Sequence, residues 1–115
     1  LTTTDLQERT ETILKKGGFR YDMEWTLGAS PFLTQHGKLI AATQQAIQQV
    51  TGLTVKLSTG GGTSDGRFIA PTGTEVVELG VTNATAHHVD EHTDVQGLLT
   101  LETIYHHILK MIYLA

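Results

Sequence analysis

The sequence predicts an α/β fold on three observations. Apolar residues at helical spacing alternate along the chain with short runs of strand character. One run, Phe19 to Leu27, keeps a two-residue period throughout. A glycine loop, Gly60-Gly61-Gly62, follows a short strand, and ligands of α/β proteins gather at the carboxyl ends of strands.

Each element has a local cause. Thr4-Asp5 offers a helix N-cap, with Leu6, Ile13 and Leu14 as a narrow apolar stripe. Lys15-Lys16 suit the negative end of the helix dipole, and Gly17-Gly18 stops the helix. Phe19, Tyr21, Met23, Trp25 and Leu27 then alternate with polar residues, the pattern of a strand with one buried face. Gly28-Ala29-Ser30-Pro31 breaks it. Leu39, Ala42, Ala46, Ile47 and Val50 return to helical spacing, and Gly52 is placed to cap the end. Leu53 to Leu57 reads as a strand, Ser64 to Ala70 as a short helix, and Glu75 to Leu79 as another strand. From about Val95, Leu98, Leu101, Ile104, Tyr105, Ile108, Leu109 and Ile112 mark a long amphipathic helix. A boundary is expected near Ser30-Pro31, with an α+β piece before it. A lone helix and strand bury too little to fold alone, so the strand's partners are expected from elsewhere.

Composition narrows the function. A chain of 115 residues with 39% hydrophobic and 17% charged residues is ordinary globular material. A formal charge of -4 without a basic run argues against nucleic-acid binding. The absence of cysteine excludes disulfides and thiolate metal sites. No apolar run approaches the ~20 residues of a membrane span. The expected location is cytoplasmic. A start at Leu1 in mid-pattern suggests a fragment or a processed product.

The chemistry gathers in two strings, Gly60-Gly61-Gly62-Thr63-Ser64-Asp65-Gly66-Arg67 and Asn83-Ala84-Thr85-Ala86-His87. The first lacks the Gly-Lys-Ser/Thr ending of a P-loop and misses the G-x-G-x-x-G spacing. Spacing alone leaves a tight turn and a binding loop equally open. Thr63, Ser64 and Arg67 favour binding, because a guanidinium takes a carboxylate in two parallel hydrogen bonds. Asp65 caps the short helix or pairs with Arg67. Of the six histidines, His106 and His107 are adjacent on a helix and point about 100° apart. His88, Asp90, Glu91 and His92 look like a metal cluster but lack the H-E-x-x-H arrangement, and a solvated loop is the plainer reading. His87, just past the second string, is the first candidate for a metal or acid–base role.

These two strings, with Val76-Val77-Glu78-Leu79-Gly80, closely resemble the desuccinylase branch of the zinc aminoacylase/carboxypeptidase superfamily of metallohydrolases. Trp25-Thr26-Leu27-Gly28-Ala29-Ser30-Pro31-Phe32-Leu33-Thr34 and Gly37-Lys38-Leu39 resemble it in the same order, so nearly the whole chain is covered. The resemblance implies an α/β catalytic domain interrupted by an α+β lid that dimerises through its sheet. Residues 1–31 would end the lid, and residues 32–115 would form the C-terminal part of the catalytic domain. The implied reaction is hydrolysis of N-succinyl-LL-2,6-diaminopimelate, a small dicarboxylate amide, by two zinc ions, with cobalt as a substitute. By the same resemblance His87 is a metal ligand, and Gly62, Thr63, Arg67 and Asn83 bind substrate. Glu91 matches a frequent family residue without an assigned role. The general base and remaining ligands are expected in preceding chain, so no catalytic residue is expected here and the isolated chain is expected to be inactive. Three departures stand out: Gly28 where the family commonly has a substrate-binding serine, Gly61 for a threonine, and His92 for a cysteine. The alternatives are a related N-acyl-amino-acid metallohydrolase and a non-catalytic anion-binding or assembly module.

Overall fold

The computed structural model describes residues 1–62 and 64–114. The chain divides into two compact units, one of Leu1–Leu33 and Thr63–Thr74, the other of Thr34–Gly62 and Glu75–Ala115.

The first unit opens with α1, Thr3–Lys16. Its N-cap is Thr2, two residues earlier than Thr4-Asp5 suggests. The reason is reciprocity: the Thr2 hydroxyl accepts the Asp5 N–H at 3.1 Å, and the Asp5 carboxylate accepts the Thr2 N–H at 2.7 Å. This capping box satisfies two backbone donors that would otherwise have no intrahelical partner. The helix ends where the glycines predict. Gly17 N–H reaches the Ile13 and Leu14 carbonyls, and Gly18 turns the chain at φ 69°. No residue of α1 is buried. Further along lie α2, Lys38–Thr51; α3, Gly66–Ile69; and α4, Val95–Tyr113. In the first unit α3 falls within the Ser64–Ala70 span expected for a short helix and runs on into a 3-10 turn, Ala70–Thr72, that passes beyond it.

In the second unit α2 and α4 pack together. Ala42, Ala46 and Ile47 of α2 and Ile104 and Ile108 of α4 form its buried centre, flanked by Leu39, Val50, Val55, Leu79 and Met111. Ala46, at 0% exposure, has the smallest side chain that still fills this contact, and so lets the helix backbones approach closely. The starts of both helices are held by side chains. Asp94 accepts the Gly97 N–H at 2.7 Å and starts α4. Gly37, the N-cap of α2, has no side chain to offer, and Glu75 supplies the acceptor instead, taking the Leu39 N–H at 2.7 Å. A Cβ on Gly37 would lie 2.0 Å from the Glu75 carboxylate, so a side chain there would have to displace that acceptor. At the other end Gly52 takes the left-handed conformation, φ 73°, as its position predicts.

The strand expectations are corrected. Among the described residues there is no β-strand: Phe19–Leu27, Leu53–Leu57 and Glu75–Leu79 carry no ladder. The alternation along 19–27 describes which side chains would be buried against a neighbour, but a ladder needs a second strand about 4.8 Å away. Without one, Phe19, Tyr21, Trp25 and Leu27 are exposed. The 75–79 segment is tied down in another way. Thr34 Oγ1 donates to the Val76 carbonyl, and the Tyr105 hydroxyl of α4 donates to the Leu79 carbonyl. The described chain is therefore helical with irregular connections, in place of the α/β layers expected.

Candidate functional site

The predicted site residues fall in three places. Gly62 is exposed at the end of the glycine loop, and a Cβ there would meet nothing within 4 Å. Packing therefore does not require glycine at 62; what its absence of side chain provides is open access to the backbone N–H. Thr63 lies outside the described residues.

Arg67 sits on α3 in the first unit and is partly buried. Its guanidinium lies over the Phe68 ring at 4.7 Å, a cation–π contact that orients the side chain. Its Nε is buried and has no hydrogen-bond partner among the described residues. A buried, unpaired guanidinium nitrogen is costly, and native proteins keep such groups where a ligand or another chain segment satisfies them. Asp65 occupies the N-cap position of α3 but makes no side-chain cap. The Ser64 hydroxyl takes the Gly66 N–H at 3.1 Å instead, and no Asp65–Arg67 ion pair occurs among the described residues.

Asn83 and His87 lie on one compact loop of the second unit. Ala86 N–H bonds to the Asn83 carbonyl at 3.1 Å, and His88 N–H to the Thr85 carbonyl at 3.0 Å, two successive turns. His87 has φ 63° and Asp90 φ 61°. Positive φ costs an L-residue roughly 1–2 kcal/mol, and histidine and aspartate are among the types that tolerate it best. Thr85 and Glu91 brace the loop. Thr85 Oγ1 donates to the His92 carbonyl at 2.7 Å and accepts the His92 N–H at 3.2 Å. Glu91 Oε2 accepts the His87 N–H at 3.3 Å. Against this loop opens a cleft of about 350 Å³, lined by Val81, Thr82, Asn83, Thr85, Ala86, Glu91, His92 and Thr93.

Two of the other histidines have structural places. His92 Nδ1 donates to the Asp90 carbonyl at 2.8 Å, which helps the loop turn at Asp90. His107 Nδ1 donates to the Thr103 carbonyl one turn back at 2.9 Å, and His106 is exposed. Among the described residues no three histidine, aspartate or glutamate side chains converge to hold a metal. His87 is exposed and offers one imidazole, while a zinc site takes three or four protein ligands. The described residues therefore do not by themselves fit a metal centre. Sequence reasoning missed Thr85 as a loop brace and Glu75 as a helix cap, because both act on residues distant in sequence.

The sequence that carries the glycine loop, Arg67 and the braced histidine loop is that of a hydrolase family. The chain belongs to peptidase family M20/M25/M40, whose model matches residues 3–111. Among its curated relatives are succinyl-diaminopimelate desuccinylases. That of Pseudoalteromonas atlantica (strain T6c / ATCC BAA-1087) is 54% identical over 110 residues, covering 96% of this chain. That of Methylococcus capsulatus (strain ATCC 33009 / NCIMB 11132 / Bath) is 52% identical over 109 residues, 95% of this chain. That of Acinetobacter baumannii (strain AYE) is 53% identical over 110 residues, 96% of this chain. The chain spans 29% of the length of each of these relatives. No helix among the described residues is long and apolar enough to cross a membrane.

Proposed function

We propose that this chain is the C-terminal part of a cytoplasmic succinyl-diaminopimelate desuccinylase, an enzyme that hydrolyses N-succinyl-LL-2,6-diaminopimelate to succinate and LL-2,6-diaminopimelate. The observation that carries the reading is identity above 50% to desuccinylases, sustained over 95% or more of the chain. In this reading residues 1–31 close a lid domain through which the whole protein dimerises, and residues 32–115 complete an α/β catalytic domain. The bare apolar set Phe19, Tyr21, Trp25 and Leu27 supports it, since these side chains suit a strand whose neighbours lie in other chain.

Arg67 and Gly62, with Thr63 and Asn83, bind the substrate. The unpaired Arg67 Nε supports that role, because a substrate carboxylate is the partner it lacks. His87 is one ligand of a metal site that holds two zinc ions, with cobalt as a substitute. The remaining ligands belong to chain outside these 115 residues, and the isolated chain is inactive.

The test is a graft, in which this chain replaces the aligned 110 residues of the Pseudoalteromonas relative. Arg67→Ala in that graft should lower kcat/KM for the succinylated substrate far more than for an N-acyl amino acid carrying a single carboxylate. Equal losses on both substrates would assign the chain to an enzyme of different acyl specificity.

A further inference from the structure

The 83–92 loop holds its functional histidine in a backbone conformation that the residue does not favour on its own. His87 and Asp90 both have positive φ, and neither lies in a helix. Backbone turns account for part of the shape. Side chains add to it: His92 Nδ1 donates to the Asp90 carbonyl, and two others act on the stretch that includes His87. Thr85 uses its hydroxyl in both directions, donating to the His92 carbonyl and accepting the His92 N–H, so it pins two points of the backbone seven residues apart. Glu91 places a carboxylate oxygen on the N–H of His87 itself, a charge-assisted bond to the residue that must be held. Both side chains also line the cleft beside Asn83.

Resting on the reading of His87 as a metal ligand, we propose that Thr85 and Glu91 are positioning residues for His87. They close the loop across its mouth and fix the backbone at residue 87, so that the imidazole leaves the loop from one defined geometry. Neither touches substrate in this role. Groups that orient a ligand from behind typically matter by 10–100-fold in affinity or activity.

Substitutions separate this role from simple packing. Thr85→Val keeps the shape and removes both hydrogen bonds, whereas Thr85→Ser keeps the hydroxyl. Glu91→Ala removes the acceptor, whereas Glu91→Gln keeps an oxygen. In the grafted enzyme, two quantities are measured: amide hydrogen exchange at His87, and kcat and KM separately. Thr85→Val and Glu91→Ala are each expected to speed exchange at His87 and to lower kcat by roughly 10–100-fold with little change in KM. Thr85→Ser and Glu91→Gln should recover most of both. The proposal is overturned if serine fails to rescue valine, if kcat falls while His87 exchange is unchanged, or if exchange accelerates without loss of kcat. A graft that turns over no succinylated substrate contradicts the desuccinylase reading instead. The exchange arm then still judges the loop, and unaltered His87 exchange in both variants overturns the positioning role.

Discussion

The Glu75 carboxylate closes the start of α2 by accepting the Leu39 N–H at 2.7 Å, from 36 residues further along the chain. It performs the task of an N-cap side chain that Gly37 cannot, and it places negative charge at the positive end of the helix dipole. Removing it as Glu75→Ala should destabilise α2 by about 1 kcal/mol, the scale of a lost cap, and should accelerate exchange of the Leu39 amide. Gly37→Ala should produce a similar loss, because the new Cβ displaces the same carboxylate. Combined, the two changes should cost little more than either alone, as expected of residues sharing one interaction. Strict additivity in urea unfolding would contradict the shared cap.

The start of α1 should be sensitive to acid. The Asp5 carboxyl is held below the usual 3.8, first by the Thr2 backbone N–H and then by the Thr2 hydroxyl. A carboxylate with a lowered folded pKa stabilises the helix above the unfolded value, and that contribution is lost as pH falls through the folded pKa. Helix content over residues 3–16 should therefore decrease on acidification below the ordinary aspartate range. Asp5→Asn should abolish this dependence, which an NMR titration of the Asp5 carboxyl and the Thr2 amide would follow. An Asp5 that titrates at or above 3.8 would contradict the capping box.

The α2–α4 contact should dominate the stability of the second unit. Ile104 and Ile108 are the buried residues of α4, and both meet the Ala42–Ala46–Ile47 face of α2. Ile104→Ala should cost about 2–5 kcal/mol, the range for truncating a buried aliphatic side chain. Ala46→Leu should be destabilising for the opposite reason, because a site with no exposure has no room for three more carbons. By contrast, Leu109→Ala on the exposed side of α4 should change stability little. Urea unfolding of the three variants ranks them, and an Ile104→Ala loss no larger than that of Leu109→Ala would place the core elsewhere.

The helices were legible because their signals are local. The spacing of Leu39, Ala42, Ala46, Ile47 and Val50, with Gly52 behind it, specifies a face and an end within fourteen residues. The same holds for α4, apart from its Asp94 cap. The strands were not legible as structure, since alternation from Phe19 to Leu27 encodes a demand for a partner and cannot supply one. The candidate site divides in the same way. Arg67, Asn83 and His87 announce themselves by residue type and order. The unpaired Nε of Arg67, the positive φ of His87 and the bracing by Thr85 and Glu91 depend on contacts that no short motif encodes.

The central claim is that this chain supplies His87 and a substrate-binding wall to a desuccinylase. It is tested most directly by hydrolysis of N-succinyl-LL-2,6-diaminopimelate in the graft, measured beside its His87→Ala variant together with bound zinc. The account predicts turnover close to that of the Pseudoalteromonas parent, with zinc content and turnover both lost in His87→Ala. Full zinc and undiminished turnover in His87→Ala, or a folded graft with no turnover, would contradict it.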